Sequence, residues 1–259
     1  VADRAAAHVS YEFSHRIGLA ARSGSCMTGT LYLLPNRIAE TAISDVLPEK
    51  TVRISRQTDY FLAENAKSAR AFLADLTICE IGHKPDSACF HEWLEPVQQG
   101  KDACIVSESG CPGVADPGAA LVSLAHTLKI PVVPLVGPCS ILLTLMGSGL
   151  TGQRFRFWGY LPIESDLRDK AIRHLENESR AGETELLIET PYRNNTMLKA
   201  LVRTLNPGTL LTVGTDITGQ TESLRTMKAA NWKEHLGTLA KVPTVFALMA
   251  PSRGKVKLT

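Results

Sequence analysis

Ser107-Glu108-Ser109-Gly110-Cys111-Pro112-Gly113-Val114-Ala115-Asp116-Pro117-Gly118 continues the apolar run Ala103-Cys104-Ile105-Val106 without a break. The apolar run reads as a short buried strand over residues 102–106, and the glycine-rich stretch as an irregular loop at its carboxyl end. Glycines at 110, 113 and 118 with prolines at 112 and 117 set the shape of that loop. Open α/β sheets bind ligands at this edge, and glycine lets a backbone come close to a ligand. Asp116 before Pro117 reads as an N-cap and first helical residue, with Leu121, Leu124, Ala125 and Leu128 as the helix's inner stripe. A plain strand-to-helix connection would explain the same residues.

Gly137-Pro138-Cys139-Ser140 decides between the two. It comes after a strand expected over residues 132–136 and opens the next helix, which stops at Gly149. Two neighbouring strands then each end in a small-residue turn at one sheet edge. Together the turns make a walled slot with exposed amides and no fixed charge. Such a slot suits a cofactor of mixed polar and apolar character, and the chain has no GxxxxGK[ST] to hold a triphosphate.

Outward from the loop, strand-like and helix-like segments alternate. Residues 29–34 read as a first core strand, and Asn65 as the cap of a helix with Ala66, Ala69, Leu73 and Leu76 on one face. Strands are expected over 155–161, 185–189, 210–213, 223–227 and 244–249. Helices are expected over 167–175 and from Pro191, the latter carrying Met197, Leu198, Leu201, Val202 and Leu205. This alternation predicts an α/β protein whose sheets are flanked by helices, in two lobes. The lobes are expected at residues 27–136 and 137–251, between a flexible extension at 1–26 and a basic tail at 252–259. The extension is broken by charges and is no export signal. Met27 reads as the natural start.

Three suggestive features read as bland. Residues 130–153 carry no charge, but prolines 131, 134 and 138 and glycines 147, 149 and 152 interrupt them, so no membrane span is expected. The GxGxxG at 147–152 sits between a helix and a strand, the reverse of the order a dinucleotide site needs, and reads as a helix stop. Cys79, His83, Cys89 and His91 cluster without the paired spacing of a structural zinc site, and no metal is expected. Composition agrees with an ordinary soluble globular protein. The net charge of +2 supplies no electrostatic footprint for nucleic acid. Six cysteines without a CxxC are no disulfide framework and fit a reducing compartment.

Residues 29–34, the loop 107–118, residues 137–140, residues 155–162, Ile188-Glu189-Thr190-Pro191-Tyr192-Arg193 and residues 216–222 occur in an order that resembles the tetrapyrrole methylase superfamily. The closer resemblance, over residues 28–250, is to the branch that acts on ribosomal RNA. The resemblance implies two α/β lobes with mixed sheets, in a cytoplasmic homodimer that binds S-adenosylmethionine in the cleft between its lobes and methylates a ribose 2′-hydroxyl of a cytidine in small-subunit ribosomal RNA. It also implies that Gly110, Pro112, Val114, Cys139 and Ser140 line the cofactor slot, flanked by Pro35 and Glu108. Glu189 is expected to handle the proton or orient the cofactor, and Arg193 to meet an RNA phosphate or pair with Glu189. Glu222 is a further cleft carboxylate, and Asp116 a structural cap rather than a base. Arg154-Phe155-Arg156-Phe157-Trp158 could stack a nucleotide, though a strand with core below and arginines above is simpler.

Departures from the pattern keep other substrates open. The first loop reads Pro35-Asn36-Arg37-Ile38-Ala39-Glu40, with Ala39 where the family has glycine. Glu108 replaces Asp, Cys111 replaces Thr, Asp216-Ile217 replaces Glu-Leu, and a C-terminal segment of the ribosomal branch is missing. A small-molecule, tetrapyrrole-like methyltransferase and a catalytically silent cofactor-binding paralogue are the alternatives.

Overall fold

Apolar runs that do not alternate, such as residues 60–63 and 103–106, need cover on both faces and belong inside parallel sheets. The computed structural model, which describes residues 28–65, 77–116 and 118–251, builds such a sheet first. The expected extension at 1–26, the helix beyond Asn65, Pro117 and the tail at 252–259 lie outside the described residues. Strands β1 (Leu31–Leu34), β2 (Tyr60–Ala63), β3 (Thr77–Glu80), β4 (Ala103–Val106) and β5 (Val132–Pro134) form it in the order β3-β2-β4-β1-β5. All pairings in it are parallel, so this sheet is not mixed as expected. Tyr60, Leu62, Ala103 and Ile105 point to one face, with Phe90 and Leu94 of the helix Phe90–Gln98 and Leu121 of the helix Ala119–Thr127. Phe61, Ala63, Cys104 and Val106 point to the other.

Two helices precede β2: α1 (Ile43–Val46) and α2 (Glu49–Gln57). Hydrophobic spacing does not reveal α2, because its buried residues are Thr51 and Ser55. Thr51 Oγ1 donates to Val136 O at 2.8 Å. The two helices named above are α3 (Phe90–Gln98) and α4 (Ala119–Thr127). Asp116 does not cap α4: its N-cap is Gly118, with φ 132°. Asp116 is released for a different role.

The chain leaves the first sheet after β5 and enters α5 (Ser140–Ser148), which ends at Gly149 in the left-handed conformation. A second sheet is built from β6 (Phe155–Phe157), β7 (Thr184–Glu189), β8 (Leu210–Thr215), β9 (Ser223–Lys228) and β10 (Thr244–Met249), ordered β6-β7-β10-β8-β9. β6 and β7 are parallel and the other pairs antiparallel, so this sheet is mixed. Ile141 and Leu145 of α5 pack on Leu186, Val245 and Ala247 on one face. Helices α6 (Ser165–Ser179) and α7 (Asn194–Thr204) cover Leu187, Phe246 and Leu248 on the other.

The glycine-rich run at 147–152 does end a helix: Gly147 lies inside α5, and β6 comes next. β6 is shorter than expected and forms the sheet edge, where Phe155 is 41% exposed rather than in the core. The neighbouring arginines are engaged, Arg156 with Glu178 and Glu183 and Arg154 with Glu183. Among the described residues no helix is long and apolar enough to cross a membrane.

Candidate active site

β1 and β4 lie side by side, but the chain leaves them in opposite directions. β1 leads to α1, α2 and β2 beyond β4, and β4 leads to α4 and β5 beyond β1. A crevice opens between such strands at their carboxyl ends, where no crossing segment covers it. The loops after Leu34 and Val106 stitch its floor. Asn36 N donates to Gly110 O at 2.9 Å and Gly110 N to Asn36 O at 3.2 Å. Asn36 is buried, and its side-chain amide donates to Ser107 O at 3.3 Å and Glu108 O at 3.1 Å. Ser107 Oγ donates to Gly110 O at 3.0 Å. The loop is therefore held in one shape by the Asn36 backbone and side chain and by Ser107.

Above it a cleft of about 470 Å³ runs between the two sheets, bounded by Ile38, loop residues 108–111 and 114–116, the start of α5, Tyr160, Glu189 and residues 243–245. It lies in the size range of small-molecule sites. A second hollow of about 650 Å³ adjoins it, lined by residues 36–40, Glu108, Asp216, Gln220 and residues 241–243. Ile38, Glu108, Ser109 and Pro243 border both.

The slot carries fixed charge, contrary to the sequence reading. Glu64, one residue past β2 and 7% exposed, accepts from the Glu108 amide at 3.2 Å and pairs with His83. Burial pushes the Asp116 carboxyl up to about 8, and a hydrogen bond to Glu64 and its charge act in the same direction. Burial also opposes ionisation of Glu64. Hydrogen bonds from Asp116, the Glu108 amide and His83 outweigh it and hold Glu64 below its ordinary value. At neutral pH Asp116 thus donates and Glu64 accepts, so one proton fastens the loop's far end to β2. His83, raised by its bond to Glu64, leaves the suggested cysteine cluster for this one. Glu64, His83 and Glu108 present ligand atoms within 4.8 Å of one another.

A raised carboxyl binds its proton more tightly in the folded protein than in the unfolded chain. Its contribution to stability is complete below the ordinary value of 3.8 and drains away as pH rises to about 8. Asp116→Asn keeps a donor toward Glu64 and cannot ionise. We expect the variant to melt about 2–4 °C above the parent protein at mildly alkaline pH and level with it near pH 4. A difference that stays constant across a melting series from acid to alkaline would contradict the shared proton.

The opposite wall belongs to the second sheet. β7 ends at Glu189, which stands beside Thr244 of β10 in the antiparallel register. The Glu189 side chain is fully buried. Its Oε1 accepts from the Thr190 amide at 2.8 Å and the Thr190 hydroxyl at 3.3 Å. Its Oε2 lies 3.1 Å from Arg193 Nη2, and neither atom completes a hydrogen bond. Burial, and then the negative charge of Glu189, raise the pKa of Tyr160 nearby. Beyond them Tyr192 is 82% exposed, with Lys241 Nζ 5.6 Å above its ring.

Of the residues singled out from the sequence, Glu108, Gly110, Val114, Cys139, Ser140 and Glu189 line this cleft together. Pro35 and Pro112 are buried outside its lining. Pro35 packs against Gly137, where a Cβ would come within 2.3 Å of the proline ring. Arg193 reaches the cleft only through Glu189. Glu222 is exposed and accepts from the Thr218 amide at 2.5 Å in the β8–β9 turn, outside both hollows. Asp216 of the same turn lines the larger hollow and accepts from the Thr221 amide and hydroxyl. Sequence reasoning missed Asn36, Glu64, His83 and Tyr160. A lone buried acid directly after the run Tyr60–Ala63 was the available signal for Glu64.

No protein-family model matches the chain. It is 27% identical over 215 residues to ribosomal RNA small subunit methyltransferase I of Pasteurella multocida, covering 82% of this chain and 74% of that protein. It is 29% identical over 194 residues to the protein of that name from a Synechocystis species, covering 73% and 67%. Among solved structures, the methyltransferase CobJ superposes with a TM-score of 0.59 at 15% identity, over 90% of this chain and 98% of that one. Uroporphyrin-III C-methyltransferase of Thermus thermophilus, complexed with S-adenosylhomocysteine, superposes with a TM-score of 0.55 at 15% identity, over 85% and 97%. One likeness is of sequence and the other of fold, and both agree with the resemblance read from the motifs.

Proposed function

We propose that this chain, built on the tetrapyrrole methylase fold and related in sequence to the small-subunit ribosomal RNA methyltransferases, transfers a methyl group from S-adenosylmethionine to a ribose 2′-hydroxyl of that RNA. The observation that carries the reading is Glu189: a buried carboxylate at a strand end, with one oxygen lacking a hydrogen bond, in the wall opposite the glycine loop. That oxygen faces Arg193 at 3.1 Å as an ion pair without a hydrogen bond, so it keeps a lone pair that a substrate hydroxyl can meet.

The cleft fits the cofactor. Gly110 has φ +76°, and a Cβ there would lie 3.3 Å from Ile38 Cγ2 and 3.6 Å from Pro138 O, so the backbone itself forms the wall. Ile38, Val114, Ile141 and Ile188 give apolar surface, and Glu64, Glu108 and Glu189 give negative charge suited to a sulfonium. When bound, the cofactor supplies an activated methyl carbon that needs only in-line approach of an oxygen. The protein's task is alignment, which can contribute about 7–11 kcal/mol. Glu189 takes the hydroxyl proton, and Arg193 holds Glu189 in place. We further read the protein as a cytoplasmic homodimer of two lobes meeting near residues 136–137 and needing no metal. The resemblance supports these points, and the lobe boundary also agrees with the chain's passage between sheets after β5.

RNA would approach across the larger hollow, where Arg37 and Lys241 offer cations and Tyr192 an exposed ring beside them. Arg193 is spent on Glu189, which shifts the phosphate role toward Lys241. Lys241→Ala should weaken RNA binding and flatten the plot of log affinity against log salt by about 0.7. Arg193→Ala should lower turnover and leave that slope alone. The reverse pattern in a filter-binding titration would exchange the two roles.

Incubation with methyl-labelled cofactor and either small ribosomal subunits or a small-molecule extract tests the main reading. Label in RNA, at a nucleotide whose 3′ bond resists alkali, is the expected outcome. Label confined to the extract would establish the tetrapyrrole-like alternative, for which the fold likeness is the present support. Binding without transfer would establish the silent paralogue.

A further inference from the structure

Two thiols line the same cleft. Cys111 in the glycine loop and Cys139 at the N-cap of α5 both line it, both are partly exposed, and neither is in a disulfide. The backbone brings them together. Gly110, just before Cys111, is held against Pro138, just before Cys139, so that a Cβ on Gly110 would be 3.6 Å from Pro138 O. Cys111 Sγ lies 3.5 Å from Pro138 O, to which it donates, and 3.9 Å from Gly137 O, the two carbonyls just before Cys139. Both positions belong to the two small-residue turns that form the slot. We propose that Cys111 and Cys139 are a site of reversible oxidation by hydroperoxides, and that the resulting disulfide closes the slot to the cofactor. The second clause rests on the methyltransferase reading; the first does not.

The environments of the two sulfurs assign their roles. The hydrogen bond from Cys111 holds the Cys139 thiol down to about 6; burial opposes this, and the amides of Leu142 and Ile141 at the helix start reinforce it. That sulfur is a thiolate at neutral pH, the reactive form. The hydrogen bond to Cys139 and then burial push Cys111 up, so it keeps its proton. The Cys139 thiolate attacks one peroxide oxygen, the O–O bond breaks, and the departing hydroxide takes a proton from solvent to leave as water. Cys139 is then a sulfenic acid. Cys111 sulfur attacks it, the S–O bond breaks as the S–S bond forms, and the Cys111 proton leaves with the hydroxyl as a second water. Two thiols and one hydrogen peroxide become one disulfide and two waters, with sulfur oxidised and peroxide oxygen reduced.

Cys104 and Cys79 are unsuited to this. Cys104 is fully buried with its thiol pushed up to about 12. Cys79 is raised by burial and by the charges of Glu92 and Cys89.

The test treats the reduced full-length chain with hydrogen peroxide, blocks the remaining thiols and digests it without reductant. A peptide joining Cys111 to Cys139, a loss of two titratable thiols and their return with dithiothreitol are expected. Cys111→Ser should stop at a sulfenic acid trapped by dimedone, and Cys139→Ser should oxidise at least tenfold more slowly. If the unsubstituted chain yields no such peptide, or a Cys79–Cys89 link forms first, the site is overturned. Calorimetry with S-adenosylhomocysteine should show at least a tenfold loss of affinity on oxidation, restored by reduction. Equal affinity of both forms overturns slot closure. Reduced protein that binds no S-adenosylhomocysteine overturns the methyltransferase reading and with it the closure, while the joined peptide would still establish the oxidation site.

Discussion

Glu189→Gln will cut methyl transfer by about 10²-fold or more while cofactor affinity changes little. The substitution keeps the size of a side chain that is fully buried, and its amide oxygen can still accept from the Thr190 amide now 2.8 Å from Oε1. What it removes is the charge at Oε2, the atom that faces Arg193 at 3.1 Å without a hydrogen bond. A neutral amide cannot take a proton from a ribose hydroxyl. Single-turnover rates with RNA, set beside calorimetry with S-adenosylhomocysteine, separate the two quantities. Normal turnover would place the base elsewhere, and the acid pair Glu64–Asp116 in the facing wall, rather than the exposed Glu222, is then the group to test.

Gly110→Val will abolish cofactor binding. Gly110 sits at φ +76°, where a β-branched residue is strongly disfavoured. Its amide and carbonyl both bond Asn36 across the crevice. A Cβ at this position meets Ile38 Cγ2 at 3.3 Å, and the valine methyls would extend farther into the cleft. The loop must either lose its bridge to Asn36 or fill the space the ligand needs. No heat should appear in calorimetry at concentrations that saturate the parent protein. Gly113→Ala is the comparison: that residue also has positive φ, but a Cβ there has nothing within 4 Å, so backbone strain is tested without obstruction of the cleft. Equal losses in both variants would mean that strain alone, and not proximity to a ligand, makes glycine necessary at 110.

Local signals were sufficient where the chemistry is local. The run Ala103–Val106 with its glycine-rich continuation was legible as a strand and ligand-side loop because burial on both faces and backbone freedom are both written in residue type. Thr244–Met249 appears with the bounds read from its apolar pattern, and Gly149 ends α5 in the left-handed conformation that glycine favours. Six of the candidate site residues gather in one cleft for the same reason, since each lies at a strand's end, in the loop that follows one, or at a helix start. The helix α2 stayed hidden because its buried residues are Thr51 and Ser55: the Thr51 hydroxyl ties it to Val136 O, and Ser55 bonds back within the helix.

Tertiary structure decided what depends on partners far apart in the chain. Asp116 reads as a helix cap beside Pro117; Glu64, 52 positions earlier, instead makes it a protonated donor in the cleft wall. The sequence by itself indicated two α/β units, the glycine-rich loop at the carboxyl end of β4 and the acid at the end of β7. Which carboxyl groups share a proton, which arginine is already paired, and which two cysteines meet were set by packing. Charge and hydrogen bonding act over a few ångströms of space, and residue spacing along the chain does not encode that distance.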